Sequence, residues 1–550
     1  MADSAPREHV ATHEVINQPP VPGDEDWLAD DIPLREALAR EAPAWATDRL
    51  APLGRAVGSQ RLQALGEAAN QHPPSLRLFD RYGRRLDEVE YHPAYHALMH
   101  EAFDPGWQAV AWQEEGRGGH QAHVAALYLL TQAEPGICCP LTMTHAAMPV
   151  LRQDERLLAH WGSRLLAWGY DPRPCPNDEK ATVTLGMAMT EKQGGSDVRA
   201  NTTSAQIDAD GAWLTGHKWF CSAPMSDAFL TLAQTADGLG CFLVPRFLPD
   251  GGRNPIEIQR LKNKCGNRAN ASAEIEYRHA WATPIGAPGR GIATILEMVQ
   301  QTRLDAAVAP VGMMRQALRE AWRHARHRHA FGKPLAEQPL MQMVIADLAL
   351  EVEAGVVLGL GAARALDGAA NGDAHARALA RLLPTLAKYW HNKRGPGFMA
   401  EAMECLGGIG YVEELPLARL YREAPVNSIW EGSGNVICLD VLRVMARHPE
   451  SIEALMGELQ AARGQQADFD RALAELDRTL TLPEESLMLR ARWLAQRMAQ
   501  ALQAALLLRH APAAVSETFC RSRLGEAPSP AYGVLPADAP LVAILERITP

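Results

Sequence analysis

Thr182-Val183-Thr184-Leu185-Gly186-Met187-Ala188-Met189-Thr190-Glu191-Lys192-Gln193-Gly194-Gly195-Ser196-Asp197 marks a change of texture in this 550-residue chain. Thr182 to Thr190 reads as a strand, and Glu191 to Asp197 carries the Gly, Ser and Asp of a tight turn. Before this stretch the pattern is helical, from Leu34 to about Ala167. Ile32 to Leu38 opens a helix with Pro33 in its first turn. His123 to Thr131 is apolar on nearly every side, as a buried helix is. After the stretch, Ala212 to Ser222 alternates around a glycine. Phe229 to Gln234 and Gly240 to Val244 are short apolar runs, and Ser272 to Tyr277 alternates once more. Strands this closely spaced predict a β-domain of about a hundred residues.

Helix returns at about Gly291. Thr302 to His329 is a long amphipathic segment, expected to kink or break at Pro310. Met341 to Leu366 and Ala374 to Trp390 follow, and helix resumes at Val436. A third helical region runs from about Glu450 to Arg523, with Leu487, Ala491, Leu494, Met498, Leu502 and Ala505 on one stripe. The class predicted is mainly α with a central β-domain. The division is an N-terminal arm (1–35), a helical domain (36–181), the β-domain (182–290), a helical bundle (291–444) and an added helical domain (445–550). The arm reads as extended because Pro19, Pro20 and Pro22 forbid helix beyond Gln18, with a disordered tail as the alternative. Residues 527–550 are expected to be loosely ordered, with Leu541 to Leu545 as a last helical turn.

A net charge of −11 argues against a surface that is wholly a nucleic-acid footprint, while leaving room for a local basic patch. Nine scattered cysteines without C-x-x-C pairs fit a reduced, cytoplasmic compartment. Met1 to Pro6 has no signal-peptide character, and no apolar run is long enough to span a membrane.

A ligand is expected at the seams between helical and β regions. Met187 to Val198 offers turn amides and hydroxyls. Gly216-His217-Lys218-Trp219-Phe220-Cys221-Ser222 offers an aromatic plane. Ile429-Trp430-Glu431-Gly432-Ser433-Gly434-Asn435 offers bare amides beside one carboxylate. If desolvated beside the indole, Glu431 would have the raised pKa that a proton-abstracting base needs. The alternative is a plain helix start, with Ser433 as its cap and Glu431 as a solvated acid. His145 reads as a buried, hydrogen-bonded core histidine, with ligand contact as the alternative. Metal ligation by His324, His327 and His329 is disfavoured by the arginines between them, and no metal site is expected. Leu406 to Tyr411 lacks the preceding strand of a dinucleotide loop.

In these motifs, with Arg328-His329-Ala330-Phe331-Gly332-Lys333-Pro334 and Leu406 to Tyr411 in order between them, the chain resembles the acyl-CoA dehydrogenase family. The resemblance extends from about Asn17 to Arg443. It is closer to the AidB-like, alkylation-response branch. Asn17-Gln18-Pro19, Cys139 to Thr144, Pro245 to Gly251, Lys264 to Arg268 and Tyr421 to Asn435 carry that closer match, and an extension beyond Arg443 is typical of the branch. The implied fold is an N-terminal helical domain, a middle β-barrel-like domain, a four-helix bundle and a C-terminal helical extension.

The resemblance also implies an FAD site. Met187, Thr190, Gly195 and Ser196 would line the ring edge. Phe220, Cys221 and Ser222 would cover its other side. Ile429, Trp430, Gly432, Ser433, Gly434, Asn435 and Leu439 would hold the ribityl–pyrophosphate end. Arg328, with Gln338 near it, would reach the cofactor of a neighbouring subunit, which implies a homo-oligomer, expected as a tetramer. Glu431 matches the family base, which removes the α-proton of an acyl thioester while the flavin accepts the β-hydride. Arg303 is a neighbouring charge, and Thr302 stands at the alternative base position, where it cannot serve. Trp430 replaces a smaller or phenolic residue and would narrow the acyl pocket.

The branch implies double-stranded DNA binding and protection, with at most weak acyl-CoA dehydrogenase activity. From Arg443 onward the chain carries 12 Arg, no Lys and 13 acidic residues, about −1. A basic face would need Arg443, Arg490, Arg492, Arg497, Arg509, Arg521 and Arg523 to cluster. The competing readings are an ordinary dehydrogenase of a short or branched acyl-CoA and a flavin-free scaffold.

Overall fold

The structure is a computed structural model, and it describes residues 6–548. The reading of Met1 to Pro6 as lacking a signal peptide lies almost entirely outside that range. Residues 7–16 are exposed and, instead of running extended, fold back on themselves, with the Val15 amide donating to the Glu8 carbonyl at 2.8 Å and the Val10 amide to the His13 carbonyl at 3.0 Å. Trp27 and Leu28 then enter the core at 3% exposure each.

Three helices, α1 (Ile32–Glu41), α2 (Ala44–Val57) and α3 (Gln60–Gln71), lead into a hairpin of β1 (Ser75–Phe79) and β2 (Arg85–Glu90). The helical reading missed this hairpin, because its strands are mostly exposed and carry no apolar run. α4 (Pro93–Phe103), α5 (Gly119–Leu130) and α6 (Cys138–Ala146) follow. Every residue of α5 is buried.

The middle of the chain is a closed barrel. β3 (Leu185–Ala188), β4 (Ser204–Ile207), β5 (Ala212–Ser222), β6 (Ala228–Thr235), β7 (Gly238–Pro245), β8 (Ile256–Leu261) and β9 (Ser272–Ile285) form one sheet. β6 pairs with both β4 and β7, and β9 with both β5 and β7, which closes the ring. Alternate residues of β5, namely Ala212, Leu214, Lys218 and Cys221 past a register shift, point inward.

α7 (Gly291–His327) is one helix of 37 residues. It runs through Pro310 without the expected break. α8 (Pro339–Ala370), α9 (Ala374–Ala380), α10 (Leu383–Leu406), α11 (Pro416–Glu423) and α12 (Gly434–Arg447) complete the bundle. The segment expected as one helix from Ala374 divides between α9 and α10. Beyond it, α13 (Pro449–Gln460), α14 (Ala467–Leu480), α15 (Glu484–His510) and α16 (Ala513–Arg523) follow in the region expected as an added domain, and they share one core with the bundle. Ala491, Leu494, Met498, Leu502 and Ala505 of the stripe are buried and Leu487 partly so.

The tail is packed rather than loose. Tyr532, Leu535 and Ile548 are buried, α17 (Leu541–Leu545) forms, and Arg547 bonds Glu353 at 2.8 Å. Among the described residues, no helix is long and apolar enough to cross a membrane.

Candidate active site

Glu431 sits between the end of α11 and the start of α12, on α7 and α10. Its backbone is left-handed (φ 56°), as is that of Gly432 (φ 99°). Non-glycine residues adopt such a φ at a cost and concentrate at functional sites. Thr302 Oγ1 donates to Glu431 Oε2 at 2.5 Å. The residue at the alternative base position therefore hydrogen-bonds to the carboxylate expected to serve as base. Arg303 Nε donates to the Glu431 carbonyl at 3.3 Å, and its Nη2 pairs with Asp440 Oδ2 at 2.5 Å. Asp440 is also paired with Arg443.

Lys388 of α10, 2% exposed, donates to the Gly432 carbonyl at 2.5 Å. No motif flagged this lysine. Its only sequence signal is a charge inside the apolar Leu383 to Trp390 run. Burial raises the Glu431 pKa, against the Thr302 hydrogen bond and the charges of Lys388 and Arg303. Burial pushes Lys388 down to about 7, with Glu431 acting to raise it.

The N-terminus of α12 is open. Ser433 occupies the cap position, but its side chain makes no capping bond. Lys393 reaches Ser428 Oγ at 2.8 Å, and Arg492 of α15 donates to Asn435 Oδ1 at 2.9 Å. Uncapped amides flanked by Lys393 and Arg492 suit an anionic group such as a pyrophosphate. Trp430 Nε1 is buried with no partner. Ile429 and Leu439 are exposed. A Cβ on Gly434 would come 3.0 Å from the Lys393 side chain.

At the barrel end, two motifs meet through a buried ion pair. Lys218 Nζ lies 2.8 Å from Glu191 Oε1. Burial acts to raise the Glu191 pKa, but hydrogen bonds from Lys218, Thr202 and Thr203 override it and hold the carboxyl at about 2. The pair fixes the 190–196 turn against β5, where the Trp219 amide donates to the Thr190 carbonyl at 2.7 Å. A Cβ on Gly195 would come 2.5 Å from Thr190 Oγ1, so the turn needs glycine there. Met187 and Thr190 are half-buried, Ser196 is exposed, and Phe220 shows 45% of its surface. Ser222 shares a 3.0 Å hydrogen bond with Ser272. Cys221 is fully buried in the barrel core, so only its backbone is available to a ligand.

Arg328 and Gln338 lie on another face. Arg328 donates to the Asn17 carbonyl at 2.9 Å, and Asn17 bonds both backbone groups of His329. Gln338 donates to the Ala330 carbonyl at 3.0 Å. Nearby Phe331 is 97% exposed.

One histidine cluster adjoins Glu431 through Asp305. His123 Nδ1 meets the Trp107 carbonyl and its Nε2 meets Asp305, and against burial the Asp305 carboxylate raises the His123 pKa. Thr142 Oγ1 donates to Asp305 at 2.6 Å. His145 stacks on His123 at 3.8 Å and 20°. His145 is buried as expected, but neither ring nitrogen has a partner at hydrogen-bond geometry. Burial, then the charge of His123, pushes its pKa well down. His123, His145 and Asp305 have the spacing of metal ligands. Near-parallel rings cannot aim both lone pairs at one ion, so an ion pair is the better description.

Most of the arginines proposed for DNA are paired with acidic side chains. Arg490 is exposed, Arg443 pairs with Asp440, and Arg497 with Glu475. Arg509 and Arg521 pair with Glu458 and Asp538. Arg523 is 5% exposed against Asp347 and Glu351, which removes it from any surface patch.

Residues 17–172 match the family model described as the adaptive response protein AidB N-terminal domain. Residues 186–280 and 289–446 match the middle and C-terminal domains of acyl-CoA dehydrogenase. AidB of Escherichia coli (strain K12) is 47% identical over 87% of this chain and 89% of its own length. This chain is an AidB-like member of the acyl-CoA dehydrogenase family. Acyl-CoA dehydrogenase family member 11 of Caenorhabditis elegans is 31% identical over 88% of this chain and 83% of that protein. The crystal structure of ACDH-11 from the same species, in complex with C11-CoA, superposes at a TM-score of 0.82 and 28% identity, covering 95% and 93% of the two chains. A glutaryl-CoA dehydrogenase of Mycobacterium smegmatis, solved with FADH2, shares the fold at a TM-score of 0.58 and 19% identity, covering 74% of this chain and 96% of its own. In this AidB-like chain the family's glycine turn stands at the barrel end, held on β5 by Lys218 and Glu191, and Glu431 stands at the head of α12.

Proposed function

We propose that this protein binds FAD between the barrel end and the head of α12 and, through Glu431, takes the α-proton of an acyl-CoA thioester, with weak overall dehydrogenase activity, as a member of the alkylation response. The observation that carries the reading is Glu431: one carboxylate with a raised pKa, oriented by Thr302, beside an uncapped helix N-terminus. The residues present fit FAD. The α12 amides with Lys393 and Arg492 suit its pyrophosphate, and Phe220 and the Gly195 turn suit its ring. Bound there, FAD would supply the hydride acceptor. Glu431 takes the proton, Thr302 orients its carboxylate, and Arg303, anchored by Asp440, holds the backbone beneath it. Trp430 fills space beside the base and favours a small or slim acyl group.

Purified protein should be yellow and should bleach anaerobically with acyl-CoA, and Glu431→Gln should remain yellow but not bleach. Colourless protein that takes up no added FAD would favour the scaffold reading. Fast bleaching by one short or branched acyl-CoA would favour an ordinary dehydrogenase.

The AidB relationship favours a second role, duplex DNA binding and protection by the added domain. Arg490 and Arg497, with Arg443, are the arginines assigned to it. A salt-dependent mobility shift that weakens in Arg490→Ala supports this role. No shift at low salt, or an unchanged shift in the variant, removes it. A homotetramer is part of the proposal, with Arg328 reaching a neighbouring subunit's cofactor, and is read by light scattering.

A further inference from the structure

We infer that Lys388 is a positioning residue of the base: held on the Gly432 carbonyl, its ammonium is the counter-charge that keeps the Glu431 carboxylate ionised inside the protein. This rests on Glu431 being the base. A buried ammonium is costly unless a charge or several hydrogen bonds compensate it. Lys388 has one hydrogen bond, to a carbonyl, and among the described residues no carboxylate lies within 4.0 Å of it. Glu431 is the attractive charge that acts on it, and each is a leading electrostatic influence on the other.

The other charges facing Glu431 are committed elsewhere. On α7, Arg303 is neutralised by Asp440 of α12. Asp305 is paired with His123 of α5, and its charge pushes Glu431 toward protonation. On α10, Lys393 is turned to Ser428. On α6, Cys139 is a neutral thiol, pushed up to about 12 by burial. With Arg303 shared between this turn and Asp440, Lys388 is the larger of the two charges that support the carboxylate.

Geometry adds a second task. The carbonyls of Glu431 and Gly432 are the two that the left-handed turn directs into the protein. Arg303 takes one and Lys388 the other. Losing Lys388 therefore frees the turn as well as the charge. The two groups titrate as a pair, so the property to measure is an apparent midpoint.

The test compares wild type, Lys388→Met, Lys388→Gln, Lys388→Arg and Glu431→Gln. The probe is a 3-thiaacyl-CoA added to the FAD-loaded protein. Its α C–H breaks and the proton passes to the Glu431 carboxylate. Its β position is sulfur and has no hydride to give, so only proton transfer is read, as the long-wavelength charge-transfer band of the enolate against the flavin. Lys388→Met and Lys388→Gln should each raise the midpoint pH of that band by at least one unit, a tenfold loss of ionised base. Lys388→Arg should restore most of it. In flavin-free protein at neutral pH, the protonated-carboxyl infrared stretch assigned by its loss in Glu431→Gln should grow in both neutral variants. An unmoved midpoint and an unmoved stretch in a folded neutral variant overturn the inference. A stretch that responds with no band in wild type keeps the Lys388–Glu431 pair and removes Glu431 as the base.

Discussion

Gly432 shows how much of the site rests on one backbone angle. At φ 99°, with Ile437 Cδ1 3.1 Å from where a Cβ would stand, alanine is both strained and crowded. Gly432→Ala should cost about 1–3 kcal/mol and disturb Glu431 directly. Thermal melting and FAD affinity check this together, and both should fall. His120 makes a different prediction. Burial, then His123, lowers its pKa to about 3 from the unfolded 6.5. The unfolded chain then binds more protons than the folded one between those values, so stability falls as pH falls through the window. The slope is about 1.4 kcal/mol per pH unit at most for this group. Chemical denaturation from pH 7 to pH 4 should show the loss, and His120→Asn should flatten part of it.

Two helix contacts carry the element-scale arguments. α7 crosses α5 closely enough that a Cβ on Gly312 would stand 2.3 Å from the Tyr128 carbonyl oxygen and 2.3 Å from Thr131 Oγ1. Helical glycine is otherwise unfavourable, so close approach explains its presence. Gly312→Ala should destabilise by about 1–3 kcal/mol through forced separation of the helices, read by urea melting. α5 itself has no side-chain cap of its own. Asp367, far along the chain on α8, accepts from the amides of His120 and Gln121 at 3.1 Å each and caps it from outside. Asp367→Ala should cost about 1–2 kcal/mol, whereas Asp367→Asn should keep most of the effect. Circular dichroism melts of the two variants distinguish them.

At the scale of the molecule, the added domain is locked to the bundle by buried charge. Arg523 meets Asp347 and Glu351 of α8, and Arg394 meets the same Glu351 at 3.0 Å. The Gly533 amide also donates to Asp347 at 2.9 Å. Removing one partner leaves buried carboxylates uncompensated, so Arg523→Met should cost about 3–5 kcal/mol. Limited proteolysis should then cut within residues 525–540 before the bundle opens, while the wild-type tail resists.

Sequence alone determined the order of helical, barrel and helical parts, because hydrophobic period and turn residues are local properties. It also singled out Glu431 as the candidate base, through Trp430-Glu431-Gly432 and four ordered partner motifs. The exposed β1–β2 hairpin was illegible because its strands bury no face. Helix through Pro310 was illegible because neighbouring helices outweigh the proline's cost. Lys388 and Asp367 act across the fold on residues distant in the chain, so no spacing could announce them. The same holds for Cys221 and Arg523, whose side chains tertiary packing turns into the core. Local chemistry was written in the chain, but which charge compensates which was decided only when α7, α10 and α12 closed around Glu431.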